Sequence, residues 1–162
     1  MIRKAKYSDS SILAALSIQV WLDTYAIYGV NSALANYTLS TFHKAYFDHL
    51  LADSNIQIWV YVVEEHIVGY IAIDVSKEKS VNGKGFEVTT LYVSRHFQGK
   101  GVGRSLLKQV QTDLGLPFWL SVWIGNESAL AFYQHIGMTI EGETYFELDN
   151  EQHKNLVLVL NE

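Results

Sequence analysis

Apolar positions along the chain alternate between two spacings. Ile12, Leu13, Leu16, Val20 and Trp21 recur at helical intervals, and Ser8 or Asp9 ahead of them can cap a first turn. Residues 2–6 before that cap read as a short strand. From Tyr25 to Leu50 the pattern is less regular: Gly29-Val30-Asn31 is a break, and a second helix is predicted from about residue 40 to residue 50. Two β-rich runs follow, at 56–64 and 67–75, joined at Glu65-His66 in a hairpin signal. Residues 76–84 are polar, with Gly83 and Gly85 nearby, and predict a loop. Further strands are predicted at 87–93 and 119–123, with helices after each. Two closing strands are predicted near 138–148 and 153–160, and the single proline, Pro117, sits where helix must give way to strand. Strands mixed with helices, partly in hairpins, imply an α+β or mixed-sheet domain with neither internal repeat nor linker, and the length suits one domain over 1–162.

The strand at 87–93 runs into the segment with the most chemistry. Its alternation puts Glu87, Thr89, Leu91 and Val93 on one face. A short polar loop then leads to glycines at alternate positions, Gly99, Gly101 and Gly103. Val102, Leu106, Val110 and Leu114, with Leu107 beside them, then recur at helical spacing. Glycines just ahead of a helix let backbone N–H groups approach a ligand unshielded, and the helix N-terminus adds unsatisfied donors and partial positive charge. Such a loop suits a phosphate or pyrophosphate; it is also what a plain strand-to-helix turn looks like. Two familiar phosphate loops fail here. The dinucleotide fingerprint started at Gly99 would need glycine where Arg104 stands. The P-loop would need lysine before Ser105 and glycine where Gln98 stands. What remains is Gln-x-x-Gly-x-Gly at Gln98, Gly101 and Gly103.

That pattern resembles the acyl-CoA pyrophosphate loop of the GCN5-related N-acetyltransferase (GNAT) superfamily. A second segment agrees. The superfamily's Asn-x-x-Ala-x-x-Phe/Leu-Tyr-x-x-x-Gly-Phe motif is matched at Asn126, Ala129, Phe132, Tyr133 and Gly137, and departs only in Met138 for the last Phe. The two motifs cover roughly a third of the chain. The resemblance implies a central, mostly antiparallel twisted sheet of about seven strands, splayed at the motif strand, with about four helices. It implies acetyl-CoA as acyl donor, with the amides of Gln98, Gly99, Lys100, Gly101, Val102, Gly103 and Arg104 around the pyrophosphate. Lys100 and Arg104 would add positive charge, although a loop lysine is as often simply solvated. Leu91 and Val93 would hold the pantetheine arm by their backbone, and Asn126 would approach the cofactor from the end of the next strand.

Acyl transfer to an amine needs a neutral amine, a stabilised oxyanion and a proton for the departing sulfur. Tyr133 matches the superfamily tyrosine placed near the CoA sulfur and is the candidate proton donor; a tyrosine merely packed beside Phe132 is the bland alternative. Glu87 is the candidate base, matching a glutamate that deprotonates the amine in several superfamily members. Waters can serve instead, and a strand-end glutamate facing solvent would look the same. In this superfamily the end of the first helix and the segment after it wall the acceptor site. Asp23, Tyr25 and Tyr28 could there bind a cationic amine by charge and aromatic faces, or simply bury the helix end.

Within the superfamily the outline is similar to PaiA-type polyamine acetyltransferases. The carriers are Trp21-Leu22-Asp23-Thr24-Tyr25, Leu120-Ser121-Val122-Trp123, residues 142–148, and Asn155-Leu156-Val157-Leu158 after an acidic turn. That likeness implies a small cationic amine such as spermidine or spermine as acceptor. A protein or peptide amine, and a non-catalytic acyl-CoA-binding module, are the competing readings; a complete loop beside a retained Tyr133 weighs against the module.

Composition narrows the chemistry further. With no cysteine, thiolate metal sites and a cysteinyl acyl-enzyme are excluded, which favours direct attack by the acceptor. The six histidines show no metal spacing, so no metal is expected. A net charge of −5 argues against nucleic acid and would attract cations. No apolar run reaches membrane-spanning length, and the first residues lack the apolar core of a signal peptide, so the expectation is a cytoplasmic protein with no membrane partner. Homodimers are common among such enzymes, but nothing in the sequence specifies an interface.

Overall fold

A computed structural model describes residues 1–76 and 85–162; apart from Ser76, the loop expected at 76–84 lies outside the described residues. Twelve principal elements follow in order: β1 (Ile2–Lys4), α1 (Ser10–Tyr25), α2 (Ser32–Thr41), α3 (Lys44–Ala52), β2 (Ile56–Val63), β3 (His66–Asp74), β4 (Phe86–Val93), α4 (Val102–Leu114), β5 (Phe118–Trp123), α5 (Glu127–His135), β6 (Thr139–Leu148) and β7 (Glu151–Leu160). The strands form one sheet in the order β1-β2-β3-β4-β5-β7-β6. The expected α+β class and seven-stranded sheet are found. Among the described residues there are five helices, where about four are expected.

The extra helix comes from the irregular stretch. Asn31, read as part of a break, is instead an N-cap: its side-chain oxygen accepts from the Leu34 amide at 2.9 Å and starts α2. Only Leu34 and Thr38 of α2 are buried, so its apolar stripe is too thin to announce a helix. His43 then caps α3 through its ring nitrogen, which accepts from the Tyr46 amide at 3.2 Å, so this helix starts later than predicted.

The start of α1 also differs. Asp9 does not cap it. Its carboxylate is buried, accepts a two-pronged bond from the Arg3 guanidinium at 2.7 and 3.0 Å, and takes the Lys6 amide at 2.7 Å. A fork from arginine and a local amide outcompete a helix-end amide for the same oxygens. The β2–β3 turn lies one residue earlier than predicted, at Glu64 and Glu65. Both have positive φ (46° and 69°), as a two-residue primed turn requires.

The chain divides into two compact units, Met1–Ile73 with Thr90–Gly115, and Asp74–Thr89 with Leu116–Glu162. In the first, Leu13, Phe47, Val60, Ile71, Leu106 and Val110 are almost fully buried. Each contributes about 1.5–3 kcal/mol by leaving water, and Tyr70 joins them with its hydroxyl 2.7 Å from that of Ser17. In the second, Phe86 stacks on Phe118 at 5.7 Å, and Leu120, Met138 and Leu158 are buried. Here β5 pairs with β7 along its whole length, Phe118↔Leu160 to Trp123↔Asn155. Its parallel ladder with β4 is confined to Phe86↔Phe118 and Glu87↔Trp119. Among the described residues no helix is long and apolar enough to cross a membrane.

Candidate functional site

In the first unit, β4 ends in a loop shaped by its own hydrogen bonds. The Ser94 amide donates to the Val68 carbonyl at 2.8 Å, so the main-chain groups of Ser94 face β3. Backbone groups alternate sides along a strand, so those of Leu91 and Val93 point away from β3. The Val93 carbonyl on that free side is taken by the Gln98 side-chain amide at 3.1 Å. After one turn of 3-10 helix at residues 95–97, Gly99 and Gly101 adopt φ of 71° and 82°, the left-handed region that favours glycine. A Cβ added at either would meet nothing within 4 Å, so these glycines serve conformation, and the space over the loop is open.

Gly101 is the N-cap of α4 and has no side chain with which to cap it. The Ser105 amide is the first to find an intrahelical acceptor, the Gly101 carbonyl at 2.9 Å. The amides of Val102, Gly103 and Arg104 lie in the turn whose donors have no intrahelical carbonyl. Val102 itself is anchored: its side chain is buried and touches the position where a Gly69 Cβ would stand. Lys100 reaches back over the Phe97 ring at 5.2 Å, while Arg104 is exposed. A row of amide donors without intrahelical acceptors, with Lys100 and Arg104 in the same segment, can receive an anion.

In the second unit, Glu87 stands in register with Trp119, on the face of β4 opposite the buried Phe86 and Val88. The Asn126 side-chain oxygen accepts from the Ala129 amide at 3.2 Å and starts α5, so this motif asparagine has a local capping role of its own. Gly137 at φ 98° ends the helix, with the Met138 amide returning to the Tyr133 carbonyl at 3.1 Å. Met138 is buried, so the departure from the motif costs the core little. Tyr133 is buried against Phe132, ring centroids 5.2 Å apart. Its hydroxyl has no hydrogen-bond partner among the described residues, and burial pushes the phenol well above its usual range.

The residues read as acceptor-binding separate. Asp23 and Tyr28 are exposed, Tyr28 almost fully, whereas Tyr25 packs on Trp21 with centroids 4.2 Å apart. Trp21 continues to Tyr37 at 4.5 Å, and Tyr37 to Phe42 at 6.2 Å. Tyr70 and Tyr92 meet edge to face at 5.7 Å. Sequence reasoning passed over Tyr37, Tyr46 and Tyr92. The first two lie in the irregular stretch, and Tyr92 is on the face of β4 opposite the one read as functional. Among the described residues no cluster of three or more potential metal ligands occurs.

Comparison with known proteins adds a family model. The model of the Acetyltransferase (GNAT) family matches residues 21–138. An uncharacterized N-acetyltransferase of Lactobacillus delbrueckii subsp. lactis is 24% identical over 151 residues, covering 89% of this chain and 87% of that protein. A probable spermine N(1)-acetyltransferase of Bacillus subtilis subsp. natto is 27% identical over 100 residues, covering 57% of this chain and 66% of its own. Among solved structures, PaiA N-acetyltransferase of Thermoplasma acidophilum in complex with coenzyme A superposes with a TM-score of 0.80. It is 19% identical, and the match covers 100% of this chain and 98% of that one.

Proposed function

Because the chain belongs to the GNAT acetyltransferase family, we propose that it transfers an acetyl group from acetyl-CoA directly to a primary amine, a small cationic amine such as a polyamine. The observation that carries this reading is the first turn of α4. Amides of Val102, Gly103 and Arg104 without capping side chains, behind a glycine loop with open space above it, suit a pyrophosphate. The backbone of Leu91 and Val93, turned away from β3, suits the amides of a pantetheine arm, and Asn126 is assigned to the same cofactor. Acetyl-CoA supplies an activated thioester; the chain's residues supply orientation and proton handling.

In the proposed reaction the neutral amine attacks the thioester carbonyl, the C–S bond breaks, and the amine's proton passes to Glu87, directly or through water. Tyr133 donates to the departing sulfur. Ordinary phenols titrate near ~10 and thiols near ~8.5, so full transfer from tyrosine to thiolate is uphill by about 2 kcal/mol even without burial. The Tyr133 hydroxyl is therefore assigned to stabilise the sulfur by hydrogen bonding as charge develops. The proton it passes on is regained from water as CoA leaves, and Glu87 gives up the amine's proton to solvent.

Support for a polyamine comes from the acidic balance of the chain and from its likeness to the probable spermine acetyltransferase. The test is thiol release from acetyl-CoA against a panel of polyamines, aminoglycosides, amino acids and peptides. Release with polyamines is expected. Release only with peptides would move the acceptor to a protein amine, and tight CoA binding without release would leave an acyl-CoA-binding module.

A further inference from the structure

Asp113 is a residue that its own helix does not favour. It stands in the last turn of α4, where the helix dipole repels a negative charge, and aspartate is among the poorer helix formers. Its carboxylate is used across the fold instead. One oxygen accepts from the Trp59 indole N–H of β2 at 3.0 Å, and the other accepts from the Gln109 side-chain amide at 3.0 Å. Trp59 is 2% exposed, and the Lys4 ammonium lies 3.1 Å from the centre of its ring while donating to Gln57 at 2.6 Å. The indole is thus held on its face by a cation and at its edge by a carboxylate.

The buried face of α4 is otherwise apolar. Val102, Leu106, Leu107 and Val110 are buried, and the Val102 side chain comes within 3.2 Å of where a Gly69 Cβ would stand. Apolar packing is non-directional, and packed helices can shear over it by small amounts. Among the described residues, Trp59–Asp113 is the only side-chain hydrogen bond that joins α4 to a strand. Gln109 and Thr112 bond within the helix, and Gly101 gives its other end no capping side chain. Asp113 lies about 16 Å along the axis from Val102.

We propose that Asp113 is a positioning residue for the anion site at the far end of its helix. Its bond to Trp59 sets the slide and roll of α4 on the sheet, and so the direction in which the amides of Val102, Gly103 and Arg104 point. A charge-assisted bond of defined length and angle supplies the direction that apolar contacts lack. The hydrogen-bonded helix carries an adjustment at one end to the other. This role accounts for a carboxylate where the dipole disfavours one. The assignment rests on the acetyl-CoA reading for the identity of the anion, and not for the geometry.

The test compares Asp113→Ala, Asp113→Asn and Trp59→Phe in the whole protein. Amide signals of residues 102–105 in proton–nitrogen correlation spectra report the first turn of α4 without any ligand. Calorimetry with CoA and steady-state kinetics report the site. Asp113→Ala is expected to move those distant signals and to raise the CoA Kd and acetyl-CoA KM about twofold to tenfold, with kcat and the amine KM unchanged. Asp113→Asn keeps an oxygen for the indole and is expected to stay within about twofold of the unaltered protein. Trp59→Phe keeps the ring, loses the N–H and reads the same bond even if Asp113→Ala does not fold. It is expected to match Asp113→Ala, with the double variant no worse than either. A lower urea midpoint with unmoved signals at 102–105 and unchanged CoA affinity overturns the proposal and leaves a bond that merely stabilises. An Asp113→Asn as impaired as Asp113→Ala overturns it too. Moved signals in a protein that binds no CoA overturn the acetyl-CoA reading and leave the positioning of the turn.

Discussion

The Gln98 side-chain amide donates to the Val93 carbonyl at 3.1 Å, so the last residue of β4 and the first of the glycine loop are held by one bond. That bond fixes where the loop leaves the strand, five residues apart in sequence. A net hydrogen bond is worth about 0.5–1.5 kcal/mol. Gln98→Ala is therefore expected to raise the acetyl-CoA KM about twofold to tenfold and leave the amine KM alone. Steady-state kinetics with each substrate varied in turn checks this, and an equal rise in both constants would refute the loop-positioning role.

Gly101→Ala tests conformation without crowding, since a Cβ there meets nothing within 4 Å but must adopt φ 82°. The left-handed region costs an L-residue about 1–2 kcal/mol. The variant is expected to fold and to bind CoA about tenfold more weakly, as measured by calorimetry. Unchanged affinity would show that α4 does not receive the pyrophosphate.

Tyr133→Phe keeps the packed ring and removes a hydroxyl with no partner among the described residues. CoA affinity should persist while turnover falls at least about tenfold. Unchanged turnover in a thiol-release assay would remove Tyr133 from the chemistry.

Glu87→Gln is expected to lower activity most below the pKa of the acceptor amine, where a base is needed, and least above it. The rate profile against pH decides. A loss independent of pH would assign Glu87 to structure instead.

Asp9 supplies a prediction about stability. The Arg3 guanidinium bonded to it, together with the Lys6 amide, holds its carboxyl below the usual range despite burial. A depressed folded-state pKa stabilises the fold above the ordinary carboxylate pKa of ~3.9, and this contribution is lost as pH falls through the lower folded-state value. Asp9→Asn is expected to cost about 2 kcal/mol at pH 7 and to flatten the loss of stability below about pH 4. Urea midpoints at neutral and acid pH measure both effects. Equal sensitivity to acid in the two proteins would contradict it.

The parts of this fold legible in sequence are those whose signal is local. Alternation in β4, helical spacing in α4, and Asn126 and Gly137 bracketing α5 each come from neighbours along the chain. The mixed class and the sheet followed from them. In the stretch from Tyr25 to Leu50 only α3 was legible, with its start displaced by the His43 cap; α2 was missed because it is short, capped by Asn31, and buries only Leu34 and Thr38. Asp9 was misread for a different reason: its partner Arg3 lies across a turn, and pattern alone does not show which donor wins a carboxylate. The glycine loop was recognisable, but its tie to Val93 was not, since glutamine at that place is equally at home in solvent. Of the aromatic cluster only Trp21 and Tyr25 stood out, because the other rings come singly or in pairs from distant parts of the chain.

The row of amides at the start of α4 has no titratable atom in it. A site that recognises its ligand through peptide N–H groups keeps its donors at any pH the fold survives, and of all substitutions only proline deletes a donor. On the proposed reading, the residues at 103 and 104 can change without removing the amides that would hold a pyrophosphate, whereas Val102 is tied to the core. What such a site would depend on is the path of the backbone, set by the positive φ of Gly99 and Gly101, rather than the identity of the side chains beside it.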